Sequence, residues 1–135
     1  LVKGYILVDS DIDGKRVKNS ILDNSAKFTS DNTFEINDIY QTGKKATLED
    51  LYPKELIEGA ITEKYEVTLI LNEDSFSKQL TNHNKNSSTK INERELKGLL
   101  AQTIISDITK LTKEKAKEKY PVYYEFAKSL HQKIS

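Results

Sequence analysis

The chain has 135 residues, with 21 basic and 21 acidic side chains, no cysteine and a net charge of zero. This length fits one domain, and the lack of cysteine excludes disulfides, thiol nucleophiles and zinc–thiolate sites. No stretch approaches the roughly 18 apolar residues of a membrane span and no secretory signal is present, so we expect a cytoplasmic protein with no membrane contact. Because the net charge is zero, a basic surface that binds nucleic acid would have to be confined to one part of the chain.

A buried strand followed by a cluster of acids is the most informative feature of the sequence. A continuous apolar run predicts a strand over residues 3–8, and Asp9, Asp11 and Asp13 follow it at alternate positions before Gly14. In open α/β sheets, ligands bind at the carboxyl ends of strands. Carboxylates crowded there repel one another unless a cation neutralises them, and their hard oxygens suit Mg²⁺ or Mn²⁺. The motif therefore predicts metal-assisted attack on a phosphate ester.

Two other interpretations of these acids are a calcium loop and a helix cap. An EF-hand loop opens with the same acidic spacing but needs a glutamate six residues after the glycine and flanking helices. Ser20 occupies that position, and the residues before the motif have strand character. The plain structural alternative is a solvated turn in which Asp9 or Asp11 caps the following helix.

The remaining elements are predicted from hydrophobic periodicity and turn residues. Helical spacing predicts a helix over 14–22, and alternation predicts a half-buried strand over 33–36 with Phe34 and Ile36 facing the core. Thr47 and Asp50 have the spacing of a loose capping box. Residues 65–71 fit either a strand or a helix end, and the polar stretch 81–89 predicts an exposed loop. Further helices are predicted, in chain order, over residues 54–64, 93–111 and 122–134.

This order of elements predicts an α/β fold. The strands and first helices lie in residues 1–71, and residues 72–135 form a helical C-terminal part of the same domain. A lysine-rich segment, residues 110–119, is the best candidate for a local basic surface, although a solvated helix face explains the same pattern. Its charged residues are Lys110, Lys113, Glu114, Lys115, Lys117, Glu118 and Lys119.

Two short segments carry a resemblance to a known family. Residues 8–14 (VDSDIDG) look like the Asp-x-Asp motif after the third strand of a Toprim domain, the metal-dependent module of topoisomerases, primases and some nucleases. Residues 46–53 (ATLEDLYP) resemble an element of the Toprim domains of OLD-family (overcoming lysogenisation defect) ATP-dependent endonucleases. The span 5–65 is thus similar to the C-terminal half of a Toprim domain, which has a Rossmann-like parallel sheet.

The resemblance implies roles for four acids. Asp9 and Asp11 match the Asp-x-Asp metal ligands, and Glu49 matches the acid of the second element, which in the family also serves the metal site. Asp13 has no fixed role in the family, so we expect it to act on the metal through water or to cap the helix. The resemblance also implies Mg²⁺ or Mn²⁺ as cofactor, DNA as substrate, and an ATPase domain upstream in a bacterial anti-phage protein.

Two departures from the family pattern shape a further expectation. The family's glutamate on the first Toprim strand would lie before Leu1, and a tyrosine occupies the expected position of a late lysine, with Lys119 and Lys128 only nearby. The chain also contains no methionine. We therefore expect a piece of a larger endonuclease that is inactive by itself. A homo-oligomer is one possible assembly of such a chain.

Two alternatives come from other functional classes. A receiver-like regulatory domain also binds Mg²⁺ in an acidic pocket, but it places its phosphoryl-accepting aspartate on a later strand, followed by a threonine and a lysine. A helical interaction module would use the apolar stripes of residues 93–111 and 122–134 to pack on a partner.

Overall fold

A computed structural model describes residues 4–135 as a mixed α/β chain that is 61% helical. Its elements, in chain order, are strand β1 (Ile6–Val8), helix α1 (Ile12–Asn24), strand β2 (Thr33–Glu35), helix α2 (Ile36–Ile39), a 3₁₀ turn (Leu48–Leu51), and helices α3 (Lys54–Tyr65), α4 (Phe76–Asn86), α5 (Glu93–Ile108), α6 (Lys113–Lys119) and α7 (Pro121–Ile134). None of these helices combines the length and apolarity required to cross a membrane.

The two strands form a small parallel sheet in which Ile6 pairs with Thr33 and Val8 pairs with Glu35. Because parallel neighbours need a crossover, α1 connects them as the helix of a β–α–β unit. Both carboxyl ends of the strands therefore lie at one edge of the sheet, where the acidic segment begins. The prediction of a first strand is confirmed at Ile6–Val8, and Lys3 lies outside the described residues. The expected burial of this strand is wrong, because Leu7 is 38% exposed and Ile6 and Val8 are only half-buried.

Most of the predicted elements in the first half are confirmed. Helix α1 covers the predicted residues 14–22 and extends beyond them at both ends. Phe34 and Ile36 are both buried, as predicted, but the strand ends at Glu35 and Ile36 already begins α2. The capping box is also confirmed, because Asp50 Oδ2 accepts a hydrogen bond of 2.9 Å from the Thr47 amide.

Residues 81–89 are exposed or half-buried, as predicted, but the prediction of a loop is wrong for most of this stretch, since α4 continues to Asn86. Phe76 and Leu80 lie one helical turn apart and are both buried in the main core. Asn84 fixes the far end of the helix, because its side chain donates to the Ile91 carbonyl and accepts from the Ile91 amide, each at 2.8 Å. Tertiary packing of two apolar residues therefore overrides the loop-like composition.

The later helices differ from prediction mainly at their ends. Helix α5 ends at Ile108, three residues before the predicted end, and the separate helix α6 follows with Thr112 as its N-cap. Tyr65 is the last residue of α3. Residues 66–71 form neither the strand nor the helix that the sequence allowed, and they have no regular structure.

Two hydrophobic clusters hold these elements together. The larger one joins α3, α4 and α5 and includes Ile57, Ile61, Leu80, Leu96 and Leu100. In the smaller one, Phe126 of α7 packs with Ile36, Ala46 and Leu51 beside the sheet. Both clusters contain residues from before and after position 71, so the helical C-terminal part shares its core with the sheet-containing part.

Candidate functional site

The segment after β1 is anchored to the chain around the 3₁₀ turn. The Ser10 amide donates to the Ala46 carbonyl at 2.7 Å, and the Leu48 amide donates to Asp9 Oδ1 at 3.1 Å. Ser10 is 1% exposed, and its hydroxyl accepts from the Asn37 amide at 2.8 Å. Since neighbouring residues in an extended segment point to opposite sides, burial of Ser10 directs the acids on either side of it away from the core.

Asp11 has a structural role in addition to its place in the motif. It is the N-cap of α1, and its Oδ1 accepts from the Gly14 amide at 2.7 Å. The helix-cap interpretation is therefore confirmed for Asp11. The calcium-loop interpretation is excluded because a strand precedes the motif and Ser20 lies inside α1.

Gly14 allows the first turn of α1 to lie directly on the backbone of Asp9. A Cβ atom built on Gly14 would be 2.0 Å from the Asp9 carbonyl oxygen and 2.7 Å from its carbonyl carbon. No side chain fits at such distances, because non-bonded heavy atoms have their optimal separation at about 3.5–4.0 Å. The glycine of the motif is thus explained by close packing of the helix against the strand end.

Glu49 and Lys97 add an ion pair to this edge of the sheet. Glu49 lies in the 3₁₀ turn next to Leu48, is only 7% exposed, and has its Oε2 3.6 Å from Lys97 Nζ. Lys97 comes from α5, where Glu93 one turn earlier has its Oε1 4.0 Å from the same ammonium group. Glu93 is held in turn by the Ser77 hydroxyl of α4, which donates to its carboxylate.

The electrostatic surroundings of Asp9 show that these charges act on one another. Burial raises the pKa of the Asp9 carboxyl above its ordinary value, and the negative charges of Glu49 and Asp11 act in the same direction. The positive charge of Lys97 and the hydrogen bond from Leu48 oppose that increase in pKa. A cation placed near these acids would favour the charged form of Asp9.

An open depression of about 650 Å³ lies beside the acids. Asp9, Asp11 and Lys97 line it together with Ser77 and Glu93. Glu49 lines a separate, smaller cavity. The accessible surface of the depression therefore carries four acids, Asp9, Asp11, Asp13 and Glu93, and one lysine, Lys97, which pairs with the buried Glu49.

Asp13 lies at the exposed edge of this depression. Its side chain is 82% exposed and pairs with Arg16 at 3.2 Å, one turn along α1. Surface pairs of this kind contribute little to stability. Of the four predicted acids, Asp9, Asp11 and Asp13 thus line one depression, with Asp13 at its exposed edge, whereas Glu49 lines a separate cavity and acts on Asp9 through its charge.

Within residues 4–135, no three acidic or histidine side chains come close enough to form a preassembled metal site. The donor set nevertheless suits a hard divalent cation, since Asp9 and Asp11 both line the depression and each has a second carboxylate oxygen that the bonds to Leu48 and Gly14 do not use. Magnesium is commonly bound through one or two carboxylates together with water and substrate phosphates. Asp9 and Asp11 therefore suit a Mg²⁺ ion that is held jointly by these two carboxylates and by the phosphates of a bound substrate.

Lys97 and Ser10 are the site residues that sequence reasoning missed. Of the two lysines near the position that the resemblance indicates, Lys119 pairs with Asp107 of α5. One signal for Lys97 was available, because it follows Leu96 in the buried stripe of α5 and lies four residues after Glu93. Ser10 had no such signal, as its role depends on the distant Ala46 and Asn37.

We compared the chain with protein-family models, with curated proteins and with solved structures, and no significant match was found.

Proposed function

We propose that this chain is part of a metal-dependent DNA endonuclease with a Toprim-type catalytic core, most similar to those of OLD-family proteins. The observation that carries the proposal is the convergence of Asp9, Asp11 and Lys97 on one open depression at the carboxyl end of β1. In the parent protein we expect an ATPase domain upstream, and we expect it to act on DNA in the cytoplasm as part of anti-phage defence.

The residues divide the chemistry of phosphodiester hydrolysis among them. Asp9 and Asp11 would hold Mg²⁺ or Mn²⁺, which supplies Lewis-acid stabilisation of the phosphoryl oxygens. The ammonium group of Lys97 faces the same depression and stabilises negative charge that develops on the phosphate. Glu49 keeps Lys97 in position from the buried side. In the hydrolysis, the water oxygen forms a bond to phosphorus, the ester bond from phosphorus to the sugar oxygen breaks, and a proton from water ends on the departing sugar oxygen.

Asparagine substitutions test this assignment without removing the cap of α1. We expect Asp9→Asn and Asp11→Asn in the longest chain that the gene encodes to reduce plasmid nicking at least about 100-fold, the scale of losing one important electrostatic contact. Asparagine caps helices about as well as aspartate, so Asp11→Asn keeps the fold. The measurement is the initial rate of nicking in Mg²⁺ and in Mn²⁺.

Asp13→Asn is the matched control, because it removes the same charge from the exposed rim, and we expect its nicking rate to stay within about twofold of wild type, as for surface substitutions. Nicking at the wild-type rate by both Asp9→Asn and Asp11→Asn would show that the assignment is wrong. An acid-labile acyl phosphate on either residue after incubation with a small phosphodonor would instead support the receiver-like alternative.

Metal binding by the 135-residue chain gives a second prediction. We expect weak binding and no DNA cleavage, because two or three carboxylates hold a hydrated ion poorly without substrate phosphates. Since an ion that binds only the folded state stabilises it, Mn²⁺ at about tenfold above its Kd should add about 1.4 kcal/mol to the free energy of unfolding. Thermal melts with and without Mn²⁺ measure this gain, which Asp9→Asn should abolish. Rapid metal-dependent cleavage by this chain would contradict the prediction.

A further inference from the structure

We propose that residues 110–119, which we call the lysine segment, bind the phosphate backbone of duplex DNA. The inference rests on the proposed function for its choice of polyanion, and it adds the surface that holds the substrate. The acids at the depression repel DNA, so a chain of zero net charge needs a separate basic surface to retain it.

Charge is distributed unevenly along this neutral chain. The lysine segment contains five of the 21 basic residues and two of the 21 acidic residues, which gives it a charge of +3 and leaves −3 on the rest. All five lysines are exposed, and among them only Lys119 forms an ion pair in the described structure, with Asp107 of α5. The positive charge is therefore concentrated in one exposed segment, in which Lys113 and Lys117 share one face of α6 while Lys115 and Lys119 lie on the opposite face.

The local structure fixes how these lysines are presented. Tyr120, the C-cap of α6, lies in the core and is 2% exposed, whereas the charged side chains of α6 lie in solvent. Lys113 and Lys117 lie one turn apart on the same face. Lys117 Nζ also lies 5.6 Å from the centre of the Tyr124 ring of α7, which orients that side chain over the surface.

The lysine segment is connected to the catalytic depression by a rigid element. Lys97 and Ile108 lie on the same helix, and 11 residues of α-helix measure about 16 Å. Successive phosphates of one DNA strand are separated by about 3.4 Å along the duplex axis. The length of helix between Lys97 and Ile108, which lies two residues before the lysine segment, therefore corresponds to about five base pairs of duplex.

A membrane surface is a poorer partner for these lysines. Helices that bind at a membrane interface insert an apolar face between the lipid headgroups. In α6, the apolar Ala116 is partly buried against the fold and the exposed positions are lysine and glutamate. The exposed surface thus offers charge without an apolar face, which suits a phosphate backbone.

A set of charge-neutralising substitutions tests the proposal in the 135-residue chain. The test variant combines Lys113→Gln, Lys115→Gln and Lys117→Gln, and binding to a short fluorescent duplex is followed by anisotropy in EDTA at several salt concentrations. We expect at least a tenfold loss of affinity at low salt. The slope of log K against log salt should also decrease by about 2, which corresponds to the two phosphate contacts of Lys113 and Lys117 on their shared face.

The control variant removes the same charge elsewhere, through Lys27→Gln, Lys45→Gln and Lys85→Gln. These lysines are also exposed, and Lys27 matches Lys117 in lying over an aromatic ring, that of Phe28. We expect the control variant to bind DNA within about twofold of wild type, because scattered surface charges make no shared contact with one duplex. Circular dichroism establishes that both variants are folded.

Several outcomes would overturn the proposal. One is an equal loss of affinity in the test and control variants, which would indicate an effect of total charge alone. Others are the absence of DNA binding by the wild-type chain at low salt, and binding to anionic vesicles that is tighter than DNA binding and depends on the same lysines. Because the assay contains no metal, its result does not depend on cleavage. Binding that requires these lysines would therefore support this proposal even if the Asp9 and Asp11 variants nicked DNA at the wild-type rate.

Discussion

Gly14→Ala is expected to be one of the most disruptive single substitutions in the chain. The added methyl carbon would lie 2.0 Å from the Asp9 carbonyl oxygen, which is backbone and cannot rotate away. Either α1 must move off the strand end or Asp9 must move with its carboxylate. Overpacking of this kind costs up to about 3 kcal/mol, and we expect a loss of that size in the free energy of unfolding from urea denaturation.

Two other helical glycines provide matched controls for this prediction. Gly59 in α3 and Gly98 in α5 are exposed, and a Cβ built on either of them meets no atom within 4 Å. Because alanine is a better helix former, Gly59→Ala and Gly98→Ala should each stabilise the chain by about 0.5–1 kcal/mol. A Gly14→Ala variant that is as stable as these two would show that α1 does not pack on Asp9 as described.

The effect of Gly14→Ala should extend to the site. Asp9 and Asp11 are both fixed by contacts that involve the first turn of α1 or the strand end it covers. We therefore expect the stabilisation by Mn²⁺ to be lost in Gly14→Ala even at temperatures where the variant is folded. Retention of the wild-type response to Mn²⁺ would contradict this part of the prediction.

The strand, the acidic segment and α1 were predictable because their signals are local. The apolar residues before Asp9, the acids at alternate positions and the glycine are consecutive in sequence. Their physical roles also follow from short distances along the chain, such as the hydrogen bond from Gly14 to Asp11. The capping box of Thr47 and Asp50 was predictable for the same reason.

The features that sequence reasoning missed depend on contacts between distant residues. Helix α4 forms through an asparagine-rich stretch because Phe76 and Leu80 reach a core supplied by α3 and α5. Lys97 approaches Glu49 across 48 positions of the sequence, and no periodic pattern encodes that approach. The register of packed helices decides which lysine reaches the acids, and composition does not contain this information.

Removal of the charge of Lys97 tests whether the structure has identified the correct lysine. Lys97→Met keeps the length of the side chain and its apolar stem, but it leaves Glu49, which is only 7% exposed, without its cation. Breaking a buried ion pair costs about 3–5 kcal/mol. Since the Lys97 side chain is 31% exposed, we expect a smaller loss of about 1–2 kcal/mol in the free energy of unfolding.

Lys78→Met is the control, because Lys78 pairs with Asp74 on the surface, where both side chains are largely exposed. A loss of less than about 0.5 kcal/mol is expected there, as for other exposed pairs. If Lys97→Met were as harmless to stability as Lys78→Met, the contact between Lys97 and Glu49 would contribute nothing to the fold.

The response to metal and the nicking rate distinguish a functional role of Lys97 from a structural one. Because the ammonium group competes with a cation for the same acids, Lys97→Met should increase the stabilisation by Mn²⁺ relative to wild type. The nicking rate of the longest encoded chain should nevertheless fall about 100- to 1000-fold, since the positive charge that faces the phosphate is lost. A merely structural lysine would not produce tighter metal binding together with slower cleavage. Wild-type nicking by Lys97→Met would remove this residue from the proposed catalytic site and leave Asp9 and Asp11 to be tested alone.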